Sequence, residues 1–461
     1  MKSRSLISIA LLSAALAACG DDGGTELPVD SRDIDAVVVD PNDAGIDGVQ
    51  PQIIDVAAGD ITAATTWSYP NTYILKGQVF IRGAKLTIEP GVVVKGELGS
   101  ALVVTSTATI DAQGTATLPI VFTSHKATLA ATEPAPPAGP AAADWGGVVL
   151  LGLAPINIPG GTSLAEGFPT GTDPGRIGYG GTNAAHDCGK LKYVRIEYAG
   201  FKLNTANEIN SLTVNGCGSA TVLDYIQLHA GDDDGVEFFG GTANLTHAVI
   251  TRHDNDDSLD WEFGWQGKAQ FIIVQRGNAG TPNERAIEGD NLSTSGGNPD
   301  STPRSNPEIW NFTFVGSRDF AMNRGIQFRS RTYAKLSNGI LQDFEAGCLA
   351  NNDDATRANW PANLSVNHTY TFNQDAAVAP PFPAAQAADE ALFNAAERNN
   401  HPNTNPMLTA PGNLTAPNFK LMDGSPALTG CGTPPAGFDQ TATYCGAVGA
   451  TDWTLGWTRY P

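Results

Sequence analysis

The chain is short of positive charge. Its 461 residues hold 27 lysines and arginines against 48 aspartates and glutamates, for a formal net charge of −21. Such a balance repels nucleic acid and anionic lipid surfaces, which argues against DNA or RNA as a partner and favours cations or neutral and basic surfaces. Charged residues of both signs are only 16% of the chain, too few for many long solvated helices, and helical periodicity is scarce. No apolar run is long enough to span a bilayer. There is no HExxH or closely spaced histidine pair, no GxSxG turn, no phosphate-binding P-loop and no GxGxxG after a strand. These absences argue against transition-metal, serine-hydrolase, NTPase and dinucleotide chemistry. Histidines His229 and His253 fall near an acidic stretch but form no such motif. What the chain has in quantity is glycine, 51, and proline, 30, a turn-rich composition that fits β architecture.

The N-terminus gives an address. Lys2 and Arg4 precede LISIALLSAALA (6–17), which ends in LAAC, Leu16 to Cys19. This four-residue sequence resembles the lipobox of bacterial lipoproteins. The resemblance implies a signal peptide over 1–18, cleavage before Cys19 and acylation of its sulfur, a stable anchor when several acyl chains share one residue. Gly20, rather than the aspartate that retains enterobacterial lipoproteins in the inner membrane, points to the outer membrane. The following stretch, 19–59, is mostly Asp/Gly-rich without apolar period and reads as a disordered tether. Its DPNDAGIDG lacks EF-hand spacing and the terminal glutamate, so it reads as linker.

From residue 60 onward, short β-branched runs alternate with glycines. Two of them align at an offset of 23: LDYIQLHAGDDDGVEFFGG (223–241) over THAVITRHDNDDSLDWEFG (246–264). In this alignment Ile226 meets Val249, Asp233 meets Asp256, Asp234 meets Asp257, Val236 meets Leu259, Glu237 meets Asp260 and Phe238 meets Trp261. QFIIVQR (270–276) continues at the same offset, with Ile272 under Val249. RAIE (285–288) matches DSLD with five extra residues. RGIQ (324–327) matches RAIE once the polar insertion 292–307 is removed. A strand-rich period of about 23 means one solenoid turn per repeat, with like residues stacked ~4.8 Å apart. The fold expected is therefore all-β, a right-handed parallel β-helix, with Val236, Leu259, Ile287 and Ile326 stacked inward and the neighbouring carboxylates facing outward.

The ordered motifs LTIEPGVVVKG, WGGVVLLG, LKYVRIEYAG, NEINSLTVNG, DDGVEFFGG and DWTLGWT are similar to those of bacterial β-helix surface or secreted proteins within the pectate-lyase-like superfamily. The resemblance runs from about residue 60 to the end. It implies the fold, and it brings no settled activity.

Three segments depart from the repeat: a Pro/Ala loop at 127–144, a Gly-rich excursion at 152–187 and the insertion at 292–307. A C-terminal extension, 352–461, contains one expected helix, 382–398, with Leu392 and Phe393 on its apolar face. Cys188 and Cys217 precede adjacent repeats and Cys431 and Cys445 bracket a short loop. Both pairs are expected to form disulfides outside the cytoplasm, leaving Cys348 over.

Chemistry concentrates in one acidic ladder: Asp232 to Asp234, Glu237, Asp254, Asp256, Asp257, Asp260, Glu284, Glu288 and Asp290. Like charges at ~5 Å repel by about 3 kcal/mol at an effective dielectric near 20. A Ca²⁺ ion, which takes six to eight oxygens, would offset this, with Asp233, Asp234, Glu237, Asp256, Asp257 and Asp260 as ligands. The alternative is a solvated face of Asx turns paired with Arg252, Arg276 and Arg285. A lyase reading uses Arg285, Glu288 and Arg324, and a glycosidase reading uses Asp234 with Glu237. Phe238, Trp261 and Trp265 are candidates for a sugar-stacking surface. The function these features favour is an envelope-anchored β-helix lipoprotein with a non-enzymatic, calcium-assisted binding or structural role. Its partners would be the membrane, through the lipid, and a polysaccharide or another envelope protein. The alternative is a polysaccharide lyase or glycoside hydrolase.

Overall fold

The structure, a computed structural model, describes residues 50–129, 138–204, 207–281, 284–293, 296–318, 323–374 and 380–461. The signal peptide, Cys19 and most of the tether lie outside the described residues, as do 130–137 of the Pro/Ala loop and 294–295 of the third insertion.

Two stacked parallel sheets make up the body. A 14-strand sheet runs from Ile53–Val56 to Leu364–Phe372, and a 10-strand sheet from Gly59–Ile61 to Leu349–Asn351. We call them the long and the narrow sheet. Each turn of chain adds a strand to both, so every strand pairs with its counterpart one turn earlier and later. This is a parallel β-helix.

Strand alternation explains why the coil holds. In the narrow sheet, Val79, Leu102, Val148, Leu212, Val236, Leu259, Ile287, Ile326 and Leu349 stand in register as one inward column, each with no exposed surface. Full burial of one such side chain contributes about 1.5–3 kcal/mol. The parallel inner column carries Phe238 and Trp261, then Gly289 and Phe328. A Cβ at Gly289 would lie 2.3 Å from Trp261 Cζ2; glycine there is what lets the indole fit between rungs. Trp265 completes the layer by stacking on Phe238 at 4.1 Å.

The period of 23 holds in the narrow sheet, where Val236 pairs Leu259 and Glu237 pairs Asp260. In the long sheet the register differs from the sequence alignment by one residue. Ile226 pairs Ala248 rather than Val249, and Ala248 pairs Ile272. The cause is turn length: six residues, 230–235, join the long-sheet strand to the narrow-sheet strand in one repeat and seven, 252–258, in the next. A column of left-handed residues also runs through the middle of these strands: Tyr193, Tyr225, His247, Phe271, Asn311, Asn338 and His368, with φ of 47° to 61°. Each interrupts the in-out alternation and is skipped in the ladder. Left-handed non-glycine residues are strained. Here the strain repeats at every rung, and the aromatic members gain ring stacking in return, Tyr193 on Tyr225 at 4.3 Å and Tyr225 on His247 at 4.2 Å.

The coil also runs further than expected. Leu364–Phe372 is one more rung of the long sheet, so the extension proper begins after it. The expected helix over 382–398 is three short pieces, a 3₁₀ turn Ala384–Gln386, an α-helix Ala387–Phe393 and a 3₁₀ turn Ala396–Arg398. Ala395, in extended conformation, breaks the run, and Asn399 ends it in the left-handed region. The α-helix packs on Leu349–Asn351, the last narrow-sheet strand, where Asp389 accepts hydrogen bonds from Asn351.

Residues after 405 fold back across the outer face of the long sheet. Gln227, Gln270, Asn311 and Asn338, from four rungs, hydrogen-bond to the backbone of Arg459, Asp439, Ala442 and Gly432. The excursion 152–187 covers the first half of the narrow sheet, packing Ile156, Phe168, Ile177 and Tyr179 against Phe80, Val103 and Val149. Both expected disulfides are present, Cys188–Cys217 with Cα atoms 5.8 Å apart and Cys431–Cys445 at 5.7 Å. Cys348 is a buried free thiol. Among the described residues no helix is long and apolar enough to cross a membrane.

Candidate functional site

The outward column of the narrow sheet reads Phe80, Val103, Val149, Thr213, Glu237, Asp260, Glu288 and Gln327. Its first half is apolar and its second half is acidic. A corner column beside it holds Asp234, Asp257, Arg285 and Arg324, and a third holds Glu262 and Asp290. The DDDG and DNDDS turns thus deliver their carboxylates to the same outer corner, one rung apart.

Oxygens from these residues converge. Four triads have carboxylate atoms within 4.8 Å of one another: Glu208 with Asp233 and Asp256, Asp234 with Asp256 and Asp257, Asp234 with Glu237 and Asp260, and Asp257 with Asp260 and Glu288. Shared members join the triads into one cluster that contains all six residues expected as calcium ligands, together with Glu288 and Glu208. The carboxylates face outward, as the alternation requires, yet Asp233, Asp234, Glu237 and Asp257 are buried. This differs from the freely solvated face that was the alternative. The covering elements are the excursion and the hairpin around 202–208, and neither follows the repeat.

Burial sets the electrostatics. Asp234, Glu237 and Asp260 have their carboxyl pKa values pushed well above the ordinary range, first by desolvation and then by one another and by Asp256, Glu166 and Asp257. Asp257 is pushed up to about 7 by burial, against the opposing pull of Arg285. Asp290 is pushed up to about 6 by burial. Glu166, on the excursion, is raised to about 7 by desolvation and then by Glu208 and Asp256. Its side chain reaches solvent.

Three cations meet the cluster. Lys202 lies 3.4 Å from Glu208 and 3.9 Å from Asp233. Arg285 lies 3.4 Å from Asp257 and 3.0 Å from both Glu284 and Glu288. Arg329 pairs with Glu288 and, at 3.4 Å, with Asp290. Donated hydrogen bonds are few. Asn210 Nδ2 donates to Glu237 at 2.7 Å, the Asp257 N–H donates to Asp234 at 2.8 Å and to Asp256 at 3.1 Å, the Arg285 N–H donates to Asp257 at 2.5 Å, and the Trp261 N–H donates to Asp260. Of the counter-charges expected from sequence, Arg285 is in place. Arg276 lies 4.0 Å from Asp254 and donates to Ser258 Oγ and to the backbone oxygens of Asp256 and Arg285. Arg252 points elsewhere, donating to the Pro461 carbonyl at 3.0 Å.

Arg324 stands next to Arg285 in register. Its guanidinium pKa is lowered by burial and by Arg285. Its Nη1 donates to Gln327 Oε1 at 3.4 Å, and its Nε is buried with no hydrogen-bond partner among the described residues.

The expected sugar surface is not there. Phe238, Trp261 and Trp265 have no exposed surface. Phe238 lies two residues beyond inward-facing Val236, so the strand period turns it inward, and the same holds for Trp261 after Leu259. His229 and His253 are buried and held neutral, with pKa values of about 3 and about 4 caused first by desolvation. Sequence reading missed Lys202, Glu208 and Glu166, which lie outside the repeat and left no periodic signal. It also missed Glu262 and Arg329, although period-2 spacing from Asp260 and Gln327 places both on the outer face.

A family model for the pectate-lyase like beta helix domain matches residues 59–411. No curated protein and no solved structure matches the chain. With that domain covering most of its length and the coil seen strand by strand, the chain belongs to the pectate-lyase-like β-helix family.

Proposed function

We propose that this protein is a lipid-anchored component of the bacterial envelope whose acidic outer column holds calcium in support of a non-enzymatic binding or structural role. One observation carries the calcium reading: eight carboxylates in four overlapping triads, several of them buried, face only three cationic side chains among the described residues. Carboxylates brought this close need protons or a cation, and an all-oxygen donor set suits a hard ion of flexible coordination number. Asp234, Glu237, Asp257 and Asp260 are the residues that would hold it, and the ion would supply charge neutralisation and rigidity to the corner. The LAAC sequence ending at Cys19 supports the anchor.

The test is thermal melting of the protein in excess Ca²⁺ and in chelator. Ligand at a hundredfold its Kd stabilises by about 2.7 kcal/mol, which is a rise of several degrees in melting temperature. The rise should vanish in Glu237→Gln/Asp260→Asn. Identical melting curves with and without the ion defeat the reading. Labelling of intact cells with radioactive palmitate, lost in Cys19→Ser, tests the anchor separately.

A second reading, polysaccharide lyase, is favoured by Arg324 alone, a guanidinium with a depressed pKa and no carboxylate partner among the described residues. Turnover of a polyuronate to an unsaturated product, abolished by Arg324→Ala, would establish it in place of the binding role.

A further inference from the structure

Burial or an indole hydrogen bond accounts for seven of the eight tryptophans. Trp67, Trp145, Trp261, Trp265, Trp360 and Trp457 are buried. Half-buried Trp453 donates its indole N–H to the Ala447 carbonyl at 2.8 Å. Trp310 is also half-buried: its ring lies 6.1 Å from that of Phe438 in the returning segment, tilted by 50°, and its indole N–H has no acceptor among the described residues.

Trp310 lies in the strand Glu308–Val315 on the outer face of the long sheet, since Ile309 between it and Glu308 points into the core. The parallel register places Ser337 and Asn367 after Trp310, and Lys335 and Ser365 after Glu308. These six side chains form a grid two columns wide and three rungs long, about 10 Å at ~4.8 Å per rung. A cleft of about 260 Å³ lies over the grid, with Pro435 of the returning C-terminal segment as a side wall. The polar members hold one another only loosely. Ser337 Oγ is 3.3 Å from His368 Nδ1, Asn367 Nδ2 is 3.5 Å from Ser365 Oγ, and Lys335 Nζ is 3.8 Å from Glu308. Bonds this long leave hydrogen-bonding capacity free for another molecule.

We propose that this cleft binds a neutral saccharide chain. An indole face beside a row of hydroxyl, amide and carboxylate groups suits a sugar ring, which presents apolar C–H bonds on one side and hydroxyls at its edge. Both cations at the cleft have a carboxylate: Lys335 has Glu308 at 3.8 Å, and Arg398, which donates to Asn367 at 3.4 Å, has Glu397 at 4.0 Å, so no unpaired cation is there to select an anionic sugar. It lies on the other sheet from the acidic column and owes nothing to the ion proposed there.

Calorimetric titration of the full chain in chelator, with cellohexaose, maltohexaose and chitohexaose as probes and hexagalacturonate as the acidic arm, tests the site. At least one neutral hexaose binds. Trp310→Ala weakens that binding about tenfold, as loss of one stacked ring implies. Trp310→Phe keeps most of the affinity, and Asn367→Ala, away from the ring, weakens binding by about threefold for one lost neutral hydrogen bond. Melting curves check that each variant is folded. The proposal is overturned if no neutral hexaose binds, if Trp310→Ala binds as well as the parent, or if only hexagalacturonate binds. Saccharide binding that requires calcium, or that Glu237→Gln abolishes, also overturns it and assigns the sugar to the acidic column.

Discussion

The two halves of the narrow sheet are built on the same inner column and differ on the outside. From Val79 to Val148 the outward partners are Phe80, Val103 and Val149, sealed under the excursion. From Val236 to Ile326 they are Glu237, Asp260, Glu288 and Gln327, crowded with like charge. The backbone register is continuous through both. The inner face therefore specifies the coil, and the outer face is free to carry something that is costly to fold. A face whose second half spends stability on repulsion is where a ligand-dependent property is expected.

Exchanging the character of the two halves breaks this comparison most directly. Val149, 1% exposed, sits under apolar cover with no cation near. Val149→Asp should cost on the order of 3–5 kcal/mol, through an unpaired buried carboxyl. The converse change, Glu237→Gln, keeps an acceptor for Asn210 and removes a charge from the cluster. In chelator it should stabilise the protein by about 1–3 kcal/mol. Urea melts of both variants check the pair. A destabilised calcium-free Glu237→Gln would mean that the cluster is already neutralised by its own protons and arginines.

The pH dependence sharpens the same contrast. The acidic half contains carboxyls whose folded-state pKa values are raised above their unfolded values, to about 7 for Asp257 and about 6 for Asp290. The native state then binds more protons than the unfolded chain between roughly pH 4 and 7, so stability falls as pH rises through that window. Below it, both states are protonated and the penalty is absent. In chelator the protein should be more stable at pH 5 than at pH 8, by an amount on the order of a few kcal/mol. Saturating calcium should flatten or reverse the slope, because the ion competes with protons for the same oxygens. A calcium-free stability that climbs from pH 5 to 8 would contradict the raised values.

How much of this was readable beforehand follows from which residues repeat. Val236, Leu259, Ile287 and Ile326 recur at one inner position, and that recurrence alone yields the coil, its period and the alignment of the acidic residues. Orientation was equally available, because period-2 alternation from Val236 sends Phe238 into the core. The long-sheet register was not readable, because it depends on turns of unequal length, 230–235 in one repeat and 252–258 in the next, which one alignment at 23 spans without a gap. Nor was the covering of either outer face. Asn311 meets Ala442 across 131 positions, and Gln227 meets Arg459 across 232. Contacts between a repeat and a non-repeating segment leave no period to detect.

The smallest effect comes from two arginines that look alike in the sequence, Arg252 and Arg285, each beside a run of acids. Arg252 donates to the terminal carbonyl in an exposed pair, and Arg252→Ala should shift stability by no more than about 0.5 kcal/mol. Arg285 sits inside the cluster, within 3.4 Å of Asp257, Glu284 and Glu288. Its loss leaves those carboxylates facing one another, so Arg285→Ala should be clearly destabilising in chelator and largely restored by calcium. A metal can stand in for the missing guanidinium because both act there as positive charge among buried oxygens. If calcium rescues neither variant or both alike, the acidic half is not the place where the ion acts, and the outer column differs from its apolar neighbour only in composition.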